Sequence, residues 1–206
     1  AAWQAIEALR PPAPQMDQDP LFAQAWIRLS PAHHLWVLWA HHVVLDGWGH
    51  ALLARAVAQT YEHLTQGRPA PNWNHWDMAP VVEEDLQQQN PLRLARHATF
   101  WREQLKNTRD NSVMSLAPPL PLAPTVRQAH TDVPPELHTA WRQAAARDKL
   151  DWSAWLLAGV ATWMWQATGA TDLVLGLPVM NRLGSAALSV PCMAMNIVPL
   201  RIQCQA

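Results

Sequence analysis

The residues from Leu35 to Gly49, Leu-Trp-Val-Leu-Trp-Ala-His-His-Val-Val-Leu-Asp-Gly-Trp-Gly, restrict the fold more than any other stretch of the chain. An unbroken apolar run leads into two adjacent histidines, and three more apolar residues, an aspartate and a glycine follow. Apolar side chains at consecutive positions suit a strand covered on both faces, because a strand with one wet face alternates. Continued through the histidines, such a strand points Trp36, Leu38, Ala40 and His42 one way and Leu35, Val37, Trp39 and His41 the other. The two histidines are then expected to do different work. Gly47 and Gly49 predict a sharp turn. Helical spacing from Ala51 puts a helix N-terminus just beyond His42 and Asp46.

A histidine ring titrates near neutral pH, so at the end of such a strand His42 can take a proton from a nucleophile and return it. Asp46 lies across the turn, where an ionised carboxylate needs a partner if it is buried. The free amides of the helix start favour negative charge there by about 0.3–1 kcal/mol. The structural alternative is that both histidines are hydrogen-bonded core residues. His33 and His34 fall at the expected turn Ser30-Pro31-Ala32-His33 and are expected in solvent, and His50 faces solvent or a cleft rim. A metal site built from His41, His42, Asp46 and His50 is disfavoured, because adjacent strand residues point apart.

The remaining chain predicts helices and strands in mixed order. Leu21–Leu29 alternates as a strand and should pair antiparallel with the central one across the short turn. Leu53, Ala56, Val57, Tyr61 and Leu64 mark one face of a helix over 51–66, which Gly67 ends. The stretch 71–90 reads as irregular, with Glu83-Glu84-Asp85 as a solvated loop or helix start, and 92–105 reads as a helix. Residues 109–125 carry Pro118, Pro119, Pro121 and Pro124 without periodicity and read as a linker between parts 1–108 and 126–206. The second part predicts a strand over 126–133 and a helix over 137–147. Asp151 caps a helix over 152–167, apolar almost all round and so expected to be buried, and Gly169 stops it. Strands over 173–179 and 190–203 complete the chain, and residues 2–9 suggest a helix before Pro11.

Lys+Arg of 15 against Asp+Glu of 16 gives no charge excess of the kind that draws nucleic acid or an anionic membrane. Two cysteines, Cys192 and Cys204, do not make a disulfide framework. With no signal peptide and no apolar helix long enough to span a bilayer, a reducing cytoplasmic setting is expected. The 13 Trp are expected to fill a core.

The segment His41-His42-Val43-Val44-Leu45-Asp46-Gly47 resembles the His-His-x-x-x-Asp-Gly motif of condensation domains from nonribosomal peptide synthetases, and of the wider chloramphenicol-acetyltransferase-like superfamily. Asp19-Pro20-Leu21-Phe22, Gly176-Leu177-Pro178-Val179-Met180-Asn181-Arg182 and Asn196-Ile197-Val198-Pro199-Leu200-Arg201 resemble further family segments in the family's order. The resemblance implies an α/β two-layer sandwich of the acetyltransferase type, made of parts of two similar subdomains. It implies amide formation between a donor acyl thioester and an acceptor aminoacyl thioester. Both would be carried on phosphopantetheine arms of upstream and downstream peptidyl carrier domains, beside an adenylation domain, with no cofactor or metal bound by the chain itself. By the same resemblance His42 is the catalytic base or positioning group, Asp46 the carboxylate that shapes the motif through an ion pair, and Gly47 a backbone amide near the reacting carbonyl. His41, Trp48, Arg182 and Asn196 are expected at or near the substrate cleft, with His41 mainly a packing residue.

The chain departs from the family pattern in length, which suggests a central fragment that is inactive alone, and in Cys192, where the family has glycine. Without the family's usual arginine, Asp46 needs another cation, for which Arg182 is the one candidate, or is exposed. An epimerisation domain would need a Glu-Gly-His-Gly-like stretch, which is absent. The motif also suits an ester-forming acyltransferase of the same superfamily or a non-catalytic docking module; the intact His42 disfavours the second.

Overall fold

The computed structural model describes residues 14–108 and 129–204, together with Ile6 and Ala8. The expected first helix, apart from those two residues, and the linker 109–125 lie outside the described residues. The apolar runs before the motif form a hairpin of β1 (Phe22–Ser30) and β2 (His33–Ala40). They pair antiparallel, with Phe22 opposite Ala40, Trp26 opposite Trp36 and Ser30 opposite His33. The register slips between Arg28 and Ser30, next to the two-residue link. The Trp26 ring stacks on His34 with centroids 5.5 Å apart, so His34 is a strand residue rather than part of the turn.

Two expectations about the central strand change. β2 stops at Ala40, so His41 and His42 sit in the following turn and strand alternation does not govern where their rings point. Nor is the strand covered on both sides: its residues are at most half-buried, because among the described residues the sheet has only two strands.

Contacts divide the chain into two compact units, each discontinuous in sequence. The first comprises residues 1–95 and 178–197 and holds the hairpin, α1 (Gly47–Thr65), α2 (Ala79–Gln88) and the returning segment with its 3-10 turn Ala186–Leu188. The second comprises 96–177 and 198–206. It holds most of α3 (Pro91–Gln104), α4 (Pro135–Arg147), α5 (Trp152–Thr168), and most of β3 (Asp172–Val179) and β4 (Asn196–Gln203), which pair as a two-stranded sheet. This division differs from the one at 109–125 expected from composition, since residues 178–197 return to the first unit. Composition marks irregular stretches and carries no record of which distant segments meet.

In the second unit Ala161, Met164 and Leu173 form a core, with Trp165, Leu175 and Ile202 packed against it. The caps of α5 are as expected: Asp151 accepts from the Ser153 amide at 2.8 Å, and Gly169 ends the helix at φ 71°. Its apolar girth is not buried, however, for Val160 and Trp163 are exposed. None of the described tryptophans is fully buried. The expected face of α1 is likewise open, with Tyr61 and Leu64 exposed and Ala56 buried. Among the described residues no element covers these faces, and periodicity reports that a face is apolar without reporting what packs on it. Residues 129–133 form no strand, residues 79–88 form a helix rather than irregular chain, and the last strand begins at Asn196 rather than Val190.

Candidate functional site

The motif turn leads directly into α1, whose N-cap is Asp46. Its backbone is extended, with φ −94° and ψ 179°, and its Oδ1 accepts from the Gly49 amide at 2.8 Å. This cap satisfies one of the amides a helix start leaves without an intrahelical partner. The same carboxylate is gripped by the segment that returns to this unit. One guanidinium nitrogen of Arg182, Nη2, lies 2.8 Å from Oδ1 and 2.9 Å from Oδ2. The Ala194 and Met195 amides each donate to Oδ2 at 3.0 Å. Asp46 is 3% exposed and Arg182 0%, so this is a buried ion pair between residues 136 apart in sequence.

Burial by itself would raise the Asp46 pKa, since it penalises the charged form. The amide donors Gly49, Ala194 and Met195, together with Arg182, more than offset that, and the pKa falls from 3.8 to about 2. The carboxylate is therefore ionised at any physiological pH. Arg182 is held through its two terminal nitrogens, while its buried Nε has no partner among the described residues. Nη1 donates to the Ala187 and Val190 carbonyls, and Nη2 also donates to Cys192 O at 2.7 Å. A buried guanidinium paired with a carboxylate and capped by carbonyls escapes the cost of an unpaired charge. With its oxygens taken up by these donors, Asp46 has little left to offer a metal ion, which disfavours a metal site at the turn.

His42 is exposed, and among the described residues no group holds its ring. His41 is half-buried, and its Nδ1 accepts from the Val43 amide at 3.2 Å, so its ring shapes the turn. The two rings differ in environment, and turn geometry rather than opposite strand faces sets that difference. Gly47 is exposed in the first turn of α1, and a Cβ there would meet nothing within 4 Å. Gly49 is the opposite case: a Cβ would lie 2.7 Å from Cys192 O and 2.7 Å from Leu45 Cδ1. Of the two glycines read as a sharp turn, only Gly49 thus needs its missing Cβ, and by close approach rather than by backbone angle. Trp48 is 40% exposed and its Nε1 donates to Leu188 O at 2.9 Å, a second tie to the returning segment. Asn196 is exposed and its Oδ1 accepts from the Ile197 amide at 2.8 Å; it lines an open polar cleft of about 590 Å³ with Glu84 and Asn181.

Sequence offers Arg182 as a candidate cation for Asp46, and the structure selects it over an exposed Asp46; Glu84 was not legible as a contact. Its carboxylate accepts from Ser185 Oγ at 2.5 Å and from the Ala186 amide at 2.9 Å. These bonds hold its pKa below the ordinary carboxylate value. In an acidic run on a helix, one residue bonded across about 100 positions looks like its solvated neighbours.

Known proteins are similar in sequence to this chain along most of its length. A family model described as Condensation domain matches residues 5–206. The isonitrile lipopeptide synthase of Streptomyces coeruleorubidus is 36% identical over 202 residues, covering 98% of this chain and 14% of that protein. The dimodular nonribosomal peptide synthase of Bacillus subtilis (strain 168) is 34% identical over 184 residues, covering 89% of this chain and 8% of that protein. Among solved structures, the first condensation domain of the CDA synthetase matches with a TM-score of 0.80 at 29% identity, over 99% of this chain and 45% of that one. VibH, an NRPS condensation enzyme, matches with a TM-score of 0.74 at 26% identity, over 99% and 47%. The chain thus spans a small part of the curated relatives and under half of the solved structures. Its fold is the mixed α/β, chloramphenicol-acetyltransferase-like fold of those neighbours, present in part. Since the match runs along nearly the whole sequence and carries the histidine turn with it, this chain belongs to the Condensation domain family of nonribosomal peptide synthetases.

Proposed function

We propose that this chain supplies the histidine motif of an acyltransferase that forms an amide bond between two carrier-bound thioesters. The donor acyl thioester and the acceptor aminoacyl thioester arrive on the phosphopantetheine arms of upstream and downstream peptidyl carrier domains, the acceptor having been loaded by an adjacent adenylation domain. The acceptor amine attacks the donor carbonyl carbon, a carbon–nitrogen bond forms, and the carbon–sulfur bond breaks. The proton lost by the amine passes to the thiolate that leaves.

His42 is the group that accepts or steers that proton. An amine protonates readily near neutrality and attacks only as the free base, and a neutral imidazole beside it contributes typically ~10²–10⁴-fold. Bringing the two thioesters together accelerates the reaction further still. In this reading the Gly47 amide, at the start of α1, donates to the oxygen of the reacting carbonyl as charge grows there. Asp46 touches neither substrate; it holds the turn that carries both groups. One observation carries this reading: the buried Asp46–Arg182 pair fixes the end of the turn while the His42 ring ahead of it stays exposed.

The test is made in the synthetase that carries this chain. His42→Ala should abolish amide formation between loaded carrier domains, read by mass spectrometry of the carrier-bound product, while aminoacyl loading continues. Normal dipeptide formation by that variant would overturn the proposal.

A further inference from the structure

Glu84 lies on α2, outside the histidine turn, in a run that sequence reasoning leaves to solvent. The structure nevertheless connects it to that turn through a continuous set of hydrogen bonds within the first unit. Its carboxylate accepts from Ser185 Oγ at 2.5 Å and from the Ala186 amide at 2.9 and 3.2 Å. Ser185 is the N-cap of the 3-10 turn Ala186–Leu188, and its Oγ lies 3.1 Å from the Ala187 amide. Two carbonyls of that turn then face the motif: Ala187 O accepts from Arg182 Nη1, and Leu188 O accepts from Trp48 Nε1 at 2.9 Å. Arg182 in turn holds Asp46, the residue that caps α1 and closes the histidine turn.

A 3-10 turn of three residues has poor hydrogen-bond geometry of its own and takes its position from what anchors its ends. At the C-terminal side the anchors are Arg182 on Val190 O and on Cys192 O. At the N-terminal side they are Ser185 and Glu84. A carboxylate accepting from a hydroxyl and an amide is a charge-assisted contact, shorter and stronger than a neutral one. None of these bonds involves His42 or the Gly47 amide.

We infer that Glu84 is a positioning residue for the condensation site: it sets the 3-10 turn whose carbonyls orient Arg182 and Trp48, and through them the Asp46 cap and the turn that bears His42. The inference rests on the function proposed above and adds a residue that acts without touching substrate. Displacement of a reacting group by about 1 Å can lower a rate by ~10²-fold, so loss of a remote brace should appear in turnover before it appears in binding.

The experiment uses the full synthetase carrying this chain, with Glu84→Ala, Glu84→Gln, Ser185→Ala and the double variant Glu84→Ala/Ser185→Ala. Glu84→Ala should lower the single-turnover condensation rate by about tenfold or more at saturating acceptor, with the acceptor concentration dependence unchanged. Glu84→Gln keeps an acceptor oxygen for the Ala186 amide and should restore most of the rate. Ser185→Ala should give a smaller loss, and the double variant should be no worse than Glu84→Ala, because the two act along one path. Hydrogen exchange should rise at the Gly49, Ala194 and Met195 amides, which donate to Asp46, and not across the domain as a whole. Unchanged turnover in Glu84→Ala, or a loss that is additive with Ser185→Ala, or exchange that rises uniformly, would each overturn the inference. His42→Ala is run in parallel: full activity there would sink the parent reading, whereas loss there with unaffected Glu84 variants would sink the brace alone.

Discussion

Replacing Asp46 by asparagine separates the charge of this residue from its shape. The substitution keeps an oxygen for the Gly49 amide, so the helix cap can persist. It also places an NH2 where Oδ2 now meets three donors, the Ala194 and Met195 amides and Arg182 Nη2, and it leaves a guanidinium with no exposed surface short of its counter-charge. Breaking a buried pair in this way costs about 3–5 kcal/mol. The carbonyls of Ala187, Val190 and Cys192 still cap Arg182 and argue for the lower end, about 3 kcal/mol at neutral pH. The penalty should depend on pH in a defined direction. Asp46 titrates at about 2 in the folded chain and near 3.8 when unfolded, a difference of about 2.4 kcal/mol at about 1.36 kcal/mol per pH unit. Between those values the unfolded chain holds a proton that the folded chain has released. The contribution is therefore fully present above about pH 5 and is lost as pH falls through the folded pKa, with about 1.1 kcal/mol already gone at pH 3. Glu84, Asp151 and Asp172 also have lowered pKa values, but they titrate in both proteins and cancel in the difference. Urea denaturation of the condensation domain that contains this chain, wild type and Asp46→Asn, at pH 7 and pH 3, measures both quantities. A penalty below about 1 kcal/mol at pH 7, or one that does not shrink by about 1 kcal/mol at pH 3, would refute the claim that Asp46 is a buried, ionised keystone.

The two glycines of the turn should separate cleanly under thermal denaturation. Gly49→Ala drives a Cβ into the Cys192 backbone and should cost about 1–3 kcal/mol, whereas Gly47→Ala meets open space and should stay within about 0.5 kcal/mol of wild type. Equal penalties would mean that the close approach to Cys192 does not constrain the turn. Gly169→Ala, at a left-handed helix end with φ 71°, should cost about 1 kcal/mol; no change in melting would show that α5 ends by other means. Trp48→Phe removes the bond to Leu188 O and should cost about 1 kcal/mol, which a double-mutant cycle with Glu84→Ala would register as coupling if the 3-10 turn links them.

Local chemistry was legible in the residues themselves. The spacing from Ala51 puts a helix start just beyond Asp46, whereas the helix begins at Gly47 and the cap on Asp46 is visible only in the structure; Asp151 and Gly169 bound α5 as short-range capping chemistry predicts. The hairpin followed from two apolar segments joined by Pro31-Ala32, since so short a link permits only antiparallel pairing. The histidine pattern carried the family, because four residues fixed within a span of seven are hard to meet by chance. What failed were statements about cover. The runs at 35–40 and 152–167 are apolar enough to be buried, yet β2 is half-buried and Trp163 is exposed. Hydrophobicity records a demand for a partner surface and not its presence.

The sequence by itself determined the turn, the helix that follows it and the ring it carries, all of which depend on backbone bonds spanning only a few residues. It also offered Arg182 as a candidate cation for Asp46, because a buried carboxylate needs one and the resemblance put that arginine in a matching segment. The tertiary structure alone decided how that pair is held: by the Ala194 and Met195 amides, by three carbonyls around the guanidinium, and by Glu84 at the far end of the 3-10 turn. The bonds to Asp46 and Glu84 join residues about 100 to 150 positions apart, and backbone amides and carbonyls are alike in every residue but proline. No side-chain pattern can mark which of them will meet a charge, so only the folded path of the chain selects them.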